Sequence, residues 1–514
     1  MFRKVEKEIY LEEFIMPFGG KLNANNRWVK LSKVIPWDII EDRYAENFPR
    51  ERGQAAKPVR MALGSLLIQQ KLKFPDRELV EQITENHYLQ YFIGFREYQD
   101  KPPFDPSLMV YFRKRFTAEI LNEINEEICR AAKEAEEKKD DDDNKPEPPQ
   151  GGNTAAADEP ASQEEKSSFE TYPSNQGKLI LDATCAPADI RYPTDVSLLN
   201  EAREKLDKLI DIVHKALGKI GKRPRTYRQI ARRFYLSFVH NRKSRKKAIR
   251  KAVGKQLRYV RRNLKALDRL LAVAGNRHGL SQRHLETLET IRLLYEQQLY
   301  MYDNHTHKVN DRIVSISQPH VRPIVRGKDA ADTEFGAKVA ISIVNGFAFV
   351  EKLSWDNFNE GITLIESVKC YRQKYGYYPE AVLADKIYRN RDNLQYCEEH
   401  NIRLSGPRLG RPPADKEINK EQKRLERQDS RERNAVESKF GIGKRRYSLA
   451  RIMARLKETS ESVILLQFLV MNLEHRIRVF FCFFLQHYFS KIQPFRTHSY
   501  DILFHQDRSL LCVV

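Results

Sequence analysis

Residues 179–185 read Leu-Ile-Leu-Asp-Ala-Thr-Cys, an apolar strand with a carboxylate in its middle. The neighbours of Asp182 ask for burial on both faces, as in a central strand of an α/β sheet. An ionised Asp there is costly unless it is paired or meets a cation. Residues 381–385, Ala-Val-Leu-Ala-Asp, form a second apolar run that ends on a carboxylate just before a helical pattern. Ligand sites of open α/β sheets favour that position. Taken singly, Asp182 or Asp385 is more often a cap or a satisfied polar residue. Two of them on strands of one domain raise the case for a metal site.

Further strand patterns are β-branched runs at 312–317, 321–327, 337–344, 347–354 and 402–406, with Asn345-Gly346 as a hairpin turn. Helical patterns fill 361–375 and 391–400, and residues from about 431 onward read as helix, with 463–473 apolar enough to be buried. A helical stretch of roughly 100 residues, 195–302, separates the first strand from the rest. This alternation predicts an α/β fold with helices packed on a sheet. Residues 1–133 predict an all-α N-terminal domain for DNA binding or dimerisation; its short helices suit either a helix-turn-helix or an ordinary bundle with a basic surface helix. Residues 134–176 read as an acidic linker, because 134–170 holds 13 acidic against 4 basic residues and almost no large apolar ones. The catalytic domain is expected over 177–475, and 476–514 is an apolar tail of unassigned role.

The chain has 514 residues and a formal net charge of +20. Residues 212–267 hold 20 Lys and Arg and no Asp or Glu, so the excess charge sits in one block. Such a block predicts a device for holding phosphates. Its Arg residues (Arg225, Arg228, Arg232, Arg233, Arg258, Arg261, Arg262) and the run Arg242, Lys243, Arg245, Lys246, Lys247 are candidate DNA contacts. The competing reading is an acidic protein surface as partner. Six cysteines without a C-x-x-C pair suit a reducing cytosol. No signal core and no apolar run of about 20 residues is present, so a cytoplasmic, nucleoid-associated protein without a membrane is expected. Phosphate-loop, dinucleotide and serine-hydrolase motifs are absent from the sequence.

One more element carries chemistry. Within 431–447, Arg433, Glu437 and Lys444 fall on a single helical stripe. A carboxylate between two cations suits a metal beside gripped phosphates; the plain alternative is a surface ion pair. The spacing Arg433-x3-Glu437-x6-Lys444 resembles the Y-x2-R-x3-E-x6-K signature of bacterial insertion-sequence DDE transposases, in the group named after insertion sequences four and five. Ser430 stands at the Tyr position. The segments around Asp182 and Asp385 resemble those carrying the first and second Asp of that family, and residues 59–116 its helical N-terminal domain.

The resemblance implies an RNase-H-like mixed five-stranded sheet with flanking helices and a helical insertion. It implies Asp182, Asp385 and Glu437 as catalytic and metal-binding residues, with Arg433 and Lys444 on phosphates. The cofactor would be two Mg²⁺ ions, with Mn²⁺ able to substitute, since hard cations prefer oxygen ligands. The partners would be double-stranded DNA, both terminal inverted repeats and target, and further copies of the chain on DNA. The activity would be metal-dependent strand cleavage and strand transfer. Two alternatives stand beside it: an RNase-H-like nuclease that does not join, and a catalytically dead DNA-binding derivative. Weaker candidates are Asp189 as first ligand, His305 and His307 as a metal pair, Tyr388 as a DNA contact, and Trp355 as a platform for an unpaired base.

Overall fold

The computed structural model describes residues 14–16, 19–46, 56–143, 174–219, 222–241, 245–328, 331–407 and 416–492. Seven helices come first: α1 (Arg27–Val34), α2 (Trp37–Glu46), α3 (Val59–Leu72), α4 (Asp76–Glu85), α5 (His87–Phe92), α6 (Leu108–Arg115) and α7 (Ala118–Asp143). Strand β1 (Lys178–Pro187) follows, then the inserted helices α8 (Asp195–Ala216), α9 (Arg228–His240), α10 (Lys246–Ala274) and α11 (Gln282–Asp303). Strands β2 (Arg322–Lys328), β3 (Ala331–Val344) and β4 (Phe347–Ser354) lead to α12 (Leu364–Tyr375) and β5 (Ala381–Leu383). The chain continues through α13 (Arg391–Glu399), β6 (Arg403–Leu404), α14 (Lys416–Arg446) and α15 (Lys457–Ile492).

The sheet is mixed. β1 lies antiparallel to β3 on one side and parallel to β5 on the other, and β6 extends it parallel to β5. β4 and β2 pair with successive parts of β3, β4 with Lys338–Val344 and β2 with its N-terminal end. The sheet thus has six strands, one more than the five expected, because β3 outruns β4 and the overhang recruits β2. Asn345 and Gly346 have φ of 50° and 80° and join β3 to β4. A two-residue turn with both φ positive matches the strand twist.

The β-branched run at 312–317 is not a strand. Ile313 and Ile316 enter the core of the insertion, while Val314 enters the core beneath the sheet. The segment bridges two cores, and its Ile313 N–H goes to the Gln297 side chain at 3.0 Å rather than to a strand.

The N-terminal helices and the sheet share one hydrophobic core. Leu66, Phe112 and Ile124 belong to the same cluster as Val339 and Ile341 of β3 and Ile464 to Leu473 of α15. α7 continues as helix to Asp143, nine residues beyond the expected start of the linker at 134, and α15 runs unbroken past residue 475. Residues 144–173 of that expected linker, and 493–514 of the expected tail, lie outside the described residues. α3 is buried from Val59 to Gln70, except Arg60, so it offers no groove-reading face. Arg113 at the basic end of α6 is turned inward, onto Asp76 and, at 2.8 Å, the Gln69 amide oxygen.

Asn472 joins three elements of this core. Its amide nitrogen donates to Asn125 of α7 at 2.8 Å and to the Ala348 carbonyl of β4 at 2.7 Å, and its oxygen accepts from the Ala348 N–H at 2.9 Å. The side chain thereby closes an otherwise open strand edge. Asn472→Ala should cost about 2–4 kcal/mol, because it strands the Ala348 N–H and the Asn125 amide oxygen in the core. Urea unfolding checks this; a loss below about 0.5 kcal/mol would contradict the shared core.

Candidate active site and nucleic-acid interface

β1 and β5 run side by side with Ile180 level with Leu383. Asp182 and Asp385 each stand two residues further on, Asp182 in the middle of β1 and Asp385 just past the end of β5, so neighbouring parallel segments carry them. Across β1 the register partner of Asp182 is Ile341. α14 covers this face: Val436 and Phe440 pack into the cluster that holds Val339 and Ile341.

Three ion pairs, all from little more than one turn of α14, staple it to the sheet and to the residue just past β5. Asp429, buried, takes Arg403 of β6; Glu432 takes Lys178 of β1 at 2.8 Å; Arg433 reaches Asp385 at 3.8 Å. Glu437 follows Arg433 by one turn and is exposed. Lys444 lies within the last helical turn, which continues to Arg446 despite Gly441 and Gly443. Gly443 packs closely, since a Cβ there would stand 3.1 Å from Leu449 and 3.5 Å from the sulfur of Met471.

Asp182 accepts the Ala183 N–H at 2.8 Å. Burial pushes its carboxyl up to about 6; the Glu360 charge adds to the rise, Arg433 opposes it, and Asp385 adds again. Asp385 caps the following 3-10 turn (Lys386–Tyr388), accepting the Lys386 N–H at 2.7 Å. Among the described residues no three His, Cys, Asp or Glu side chains stand close enough to hold a metal ion. The chemistry of the pair nevertheless fits a hard divalent cation: two oxygen donors side by side, one desolvated and electrostatically frustrated until positive charge arrives.

That frustration has a measurable sign. A carboxyl whose folded value exceeds its unfolded one, near 3.8, stabilises the fold below about pH 4, and that contribution is lost as pH rises through about 6. Above pH 6 the metal-free protein therefore carries a buried charge that Asn would not. Asp182→Asn should raise stability by about 2 kcal/mol at pH 8 in chelator and by nothing at pH 4. Thermal unfolding at both pH values checks it; a destabilised variant at pH 8 would mean that Asp182 is a structural acceptor instead.

The other sequence candidates are placed elsewhere. Asp189 lies beyond the end of β1, held by Arg451 at 2.6 Å and 2.8 Å. Trp355 is buried, donating its ring N–H to Glu461 at 2.7 Å with His320 against its face. His305 contacts Arg250 rather than a metal partner. Tyr388 is fully buried. No local spacing marks Asp429, Glu432 or Glu360 in the sequence, because their partners Arg403, Lys178 and Lys338 come from other elements.

The insertion has its own core of Leu199, Leu206, Ile210, Leu257, Val260 and Ile291. Its basic surface is uneven. Arg225, Arg232, Arg233, Arg245, Lys246, Lys247 and Arg258 are exposed, while Arg242 and Lys243 lie outside the described residues. Arg228 is engaged with Asp211 at 2.7 Å and Arg261 with the Tyr295 hydroxyl at 2.7 Å. Arg262 donates to the Thr226 carbonyl at 2.8 Å and lies over the Tyr227 ring. Between α8, α9 and the chain beyond β1 opens a groove of about 790 Å³, lined among others by Arg191, Tyr192, Lys208, Arg228, Arg232 and Arg455. Among the described residues no helix is long and apolar enough to cross a membrane.

Two family models match the chain. Residues 17–115 match one described as a transposase domain (DUF772), and residues 382–474 match a transposase DDE domain. The second match includes Asp385, Arg433, Glu437 and Lys444, and begins after Asp182. A relative from Rhizobium meliloti, described as "Uncharacterized protein ORF8 in nfe locus", is 33% identical over 114 residues, which are 22% of this chain and 53% of that protein. The chain thus spans about half the length of the curated relative it matches. No solved structure matches it. A helical region that matches a transposase domain thus stands ahead of a region that matches a transposase DDE domain, an order that supports a bacterial insertion-sequence DDE transposase with an RNase-H-like sheet.

Proposed function

We propose that the protein is a DNA transposase that binds the ends of an insertion sequence and catalyses Mg²⁺-dependent strand cleavage and strand transfer. The observation that carries this reading is Asp182 on β1 with Asp385 just past its parallel neighbour β5, and Arg433 of α14 reaching Asp385. Asp182, Asp385 and Glu437 are the carboxylates that would hold two Mg²⁺ ions; Mn²⁺, with similar ligand preferences, would substitute. When bound, such cations activate a water or 3′-hydroxyl for attack and neutralise the departing oxygen. The protein's own groups do the rest. Arg433 and Lys444 position the phosphates flanking the scissile bond, and the Asp182–Asp385 pair fixes where the reacting phosphate sits. The insertion lays its exposed cations along duplex DNA outside the centre.

The test uses a labelled duplex carrying the terminal inverted repeats that flank the gene, with an unlabelled target. Nicking at the repeat end followed by joining to target, both dependent on Mg²⁺ or Mn²⁺, is the expected result. Cleavage without joining would replace the reading by a nuclease. Binding without either would replace it by a DNA-binding derivative.

A further inference from the structure

The groove beside the insertion opens where β1 ends. That end is Pro187, five residues past Asp182, or about 16 Å of strand. The residues that follow are pinned on both sides. Ala188 donates its N–H to the Phe335 carbonyl of β3 at 2.9 Å, and Asp189 donates to the Ile452 carbonyl at 3.0 Å. The Gln318 amide donates to the Asp189 carbonyl at 3.2 Å. Gly336 lets β3 come this close, because a Cβ there would collide with the Ala186 carbonyl oxygen. Arg191 and Tyr192 therefore enter the groove from a fixed backbone. The Tyr192 ring stands edge-to-face with Phe335, centroids 5.5 Å apart, and is still 71% exposed.

Both signs of charge line this groove, but they do not match. Its acids are all taken by cations of the chain. Asp189 pairs with Arg451 at 2.6 Å and Glu201 with Lys205 at 3.4 Å. Glu204 and Asp207 both pair with the buried Arg203, each at 3.0 Å. Arg228 is engaged with Asp211 outside the lining. Arg191, Lys208, Arg232 and Arg455 remain. They are exposed and have no hydrogen bond or ion pair among the described residues. They come from four segments: the chain beyond β1, α8, α9 and the turn before α15. Four cations gathered on one concavity repel each other, and no acid of the lining is left to offset them. Such a cleft focuses its field on an incoming polyanion.

Size and the aromatic rim narrow the partner. About 790 Å³ falls within the roughly 300–1,000 Å³ of small-molecule sites, room for a few nucleotides of one strand but not for a duplex. An exposed ring beside unpaired cations is the combination that single strands use: the cations track phosphates, and bases stack on the ring whatever their identity. We propose that this groove is a subsite for unpaired DNA, with Arg191, Lys208, Arg232 and Arg455 on the phosphates and a base on Tyr192. It lies away from the Asp182–Asp385 centre and so holds a strand running to or from that centre, not the reacting phosphate. The inference rests on the DNA-binding part of the proposed function and is independent of its cleavage chemistry.

Fluorescence anisotropy of the full-length protein at one fixed salt concentration tests this. The labelled probes are a dT strand of about ten nucleotides, an abasic strand of the same length, and a duplex. Replacing Arg191 and Arg455 together by Gln should weaken the dT strand about 10-fold or more and change duplex affinity by less than about 2-fold. Tyr192→Ala should weaken the dT strand by about 5- to 150-fold and leave the abasic strand alone, whereas Tyr192→Phe keeps the stack and the affinity. Equal losses on duplex and single strand would overturn the proposal and lay a duplex backbone on the groove's rim. Unchanged dT affinity in the double Gln variant and in Tyr192→Ala would remove the subsite. A mononucleotide, dTMP, bound as tightly as the dT strand would make the groove a nucleotide pocket instead. Wild-type protein that binds the duplex but no single strand would sink this inference alone; wild-type protein that binds neither would sink the DNA-binding reading as well. Should Tyr192→Ala fail to fold, as judged by thermal unfolding, the wild-type protein decides the stacking contact: equal affinity for the dT and abasic strands rules it out.

Discussion

Asp182→Asn should lower Mg²⁺-dependent strand cleavage by about 10³-fold or more, while DNA affinity stays within about 2-fold of wild type. A bound metal contributes several kcal/mol of transition-state charge stabilisation, and about 4 kcal/mol corresponds to a thousandfold in rate. Asp385→Asn should act alike, since Asp385 stands just past β5, the parallel neighbour of the strand that carries Asp182. Their combined replacement should cost little more than either alone, as for groups that act as a unit. Asp182→Asn is also the variant expected to gain stability above pH 6. Loss of activity with a gain in folding stability separates a functional carboxylate from a structural one, because a structural residue would lose both. Glu437→Gln should fall with the two Asp variants in cleavage. Wild-type cleavage in Glu437→Gln would remove it from the set. Duplex cleavage with Mg²⁺, followed at a single labelled end, measures all of these.

The parts of the fold that could be read in advance are those whose cause is local. β1, β3, β4 and β5 announce themselves as β-branched or apolar runs, and Asn345-Gly346 prescribes the turn between β3 and β4. Asp182 and Asp385 stood out because an acid in such a run is costly. Residues 312–317 show the same β-branched composition, yet apolar residues there serve two separate cores, which only the packing reveals. The end of α7 misled for a different reason. Four Asp residues at a helix C-terminus oppose its dipole, so 134–143 looked like linker, whereas the Ala, Glu and Lys before them favour helix.

The staples of α14 were beyond sequence reading altogether. Lys178 and Glu432 are 254 residues apart, and nothing near either one announces the other. Glu360 was hidden likewise, in a connecting turn between β4 and α12 that carries no period. The N-terminal helices looked like a separable unit because an acidic stretch follows them. Asn125 and Leu66, however, are buried against α15 and the sheet, through contacts that span most of the chain. Truncating residues 1–133 therefore removes half of a core as well as any binding surface.

DNA affinity should fall by about 10³–10⁵ between 50 and 200 mM salt, the loss expected if about 6–10 phosphates are neutralised. The structure sorts which cations supply that slope. Arg232 and Arg233 on α9 and Arg245, Lys246 and Lys247 at the start of α10 are exposed. Replacing these five by Gln or Ala should reduce the slope of log affinity against log salt by about 4–5, at roughly 0.9 per phosphate contact, and weaken all duplex sequences alike. Arg262 should behave differently. Its guanidinium is committed to the Thr226 carbonyl and to the faces of Tyr227 and Tyr259, so Arg262→Gln should loosen the seat of α9 and lower the unfolding temperature while changing the slope by less than one. Arg228, bound to Asp211, should fall between the two. Fluorescence anisotropy at four salt concentrations, with one repeat-end duplex and one unrelated duplex, measures both quantities. A loss confined to the repeat-end duplex would mean that α9 and α10 read bases. An unchanged slope in the fivefold variant would place the phosphate contacts elsewhere, the groove holding Arg191 and Arg455 being the next surface to neutralise.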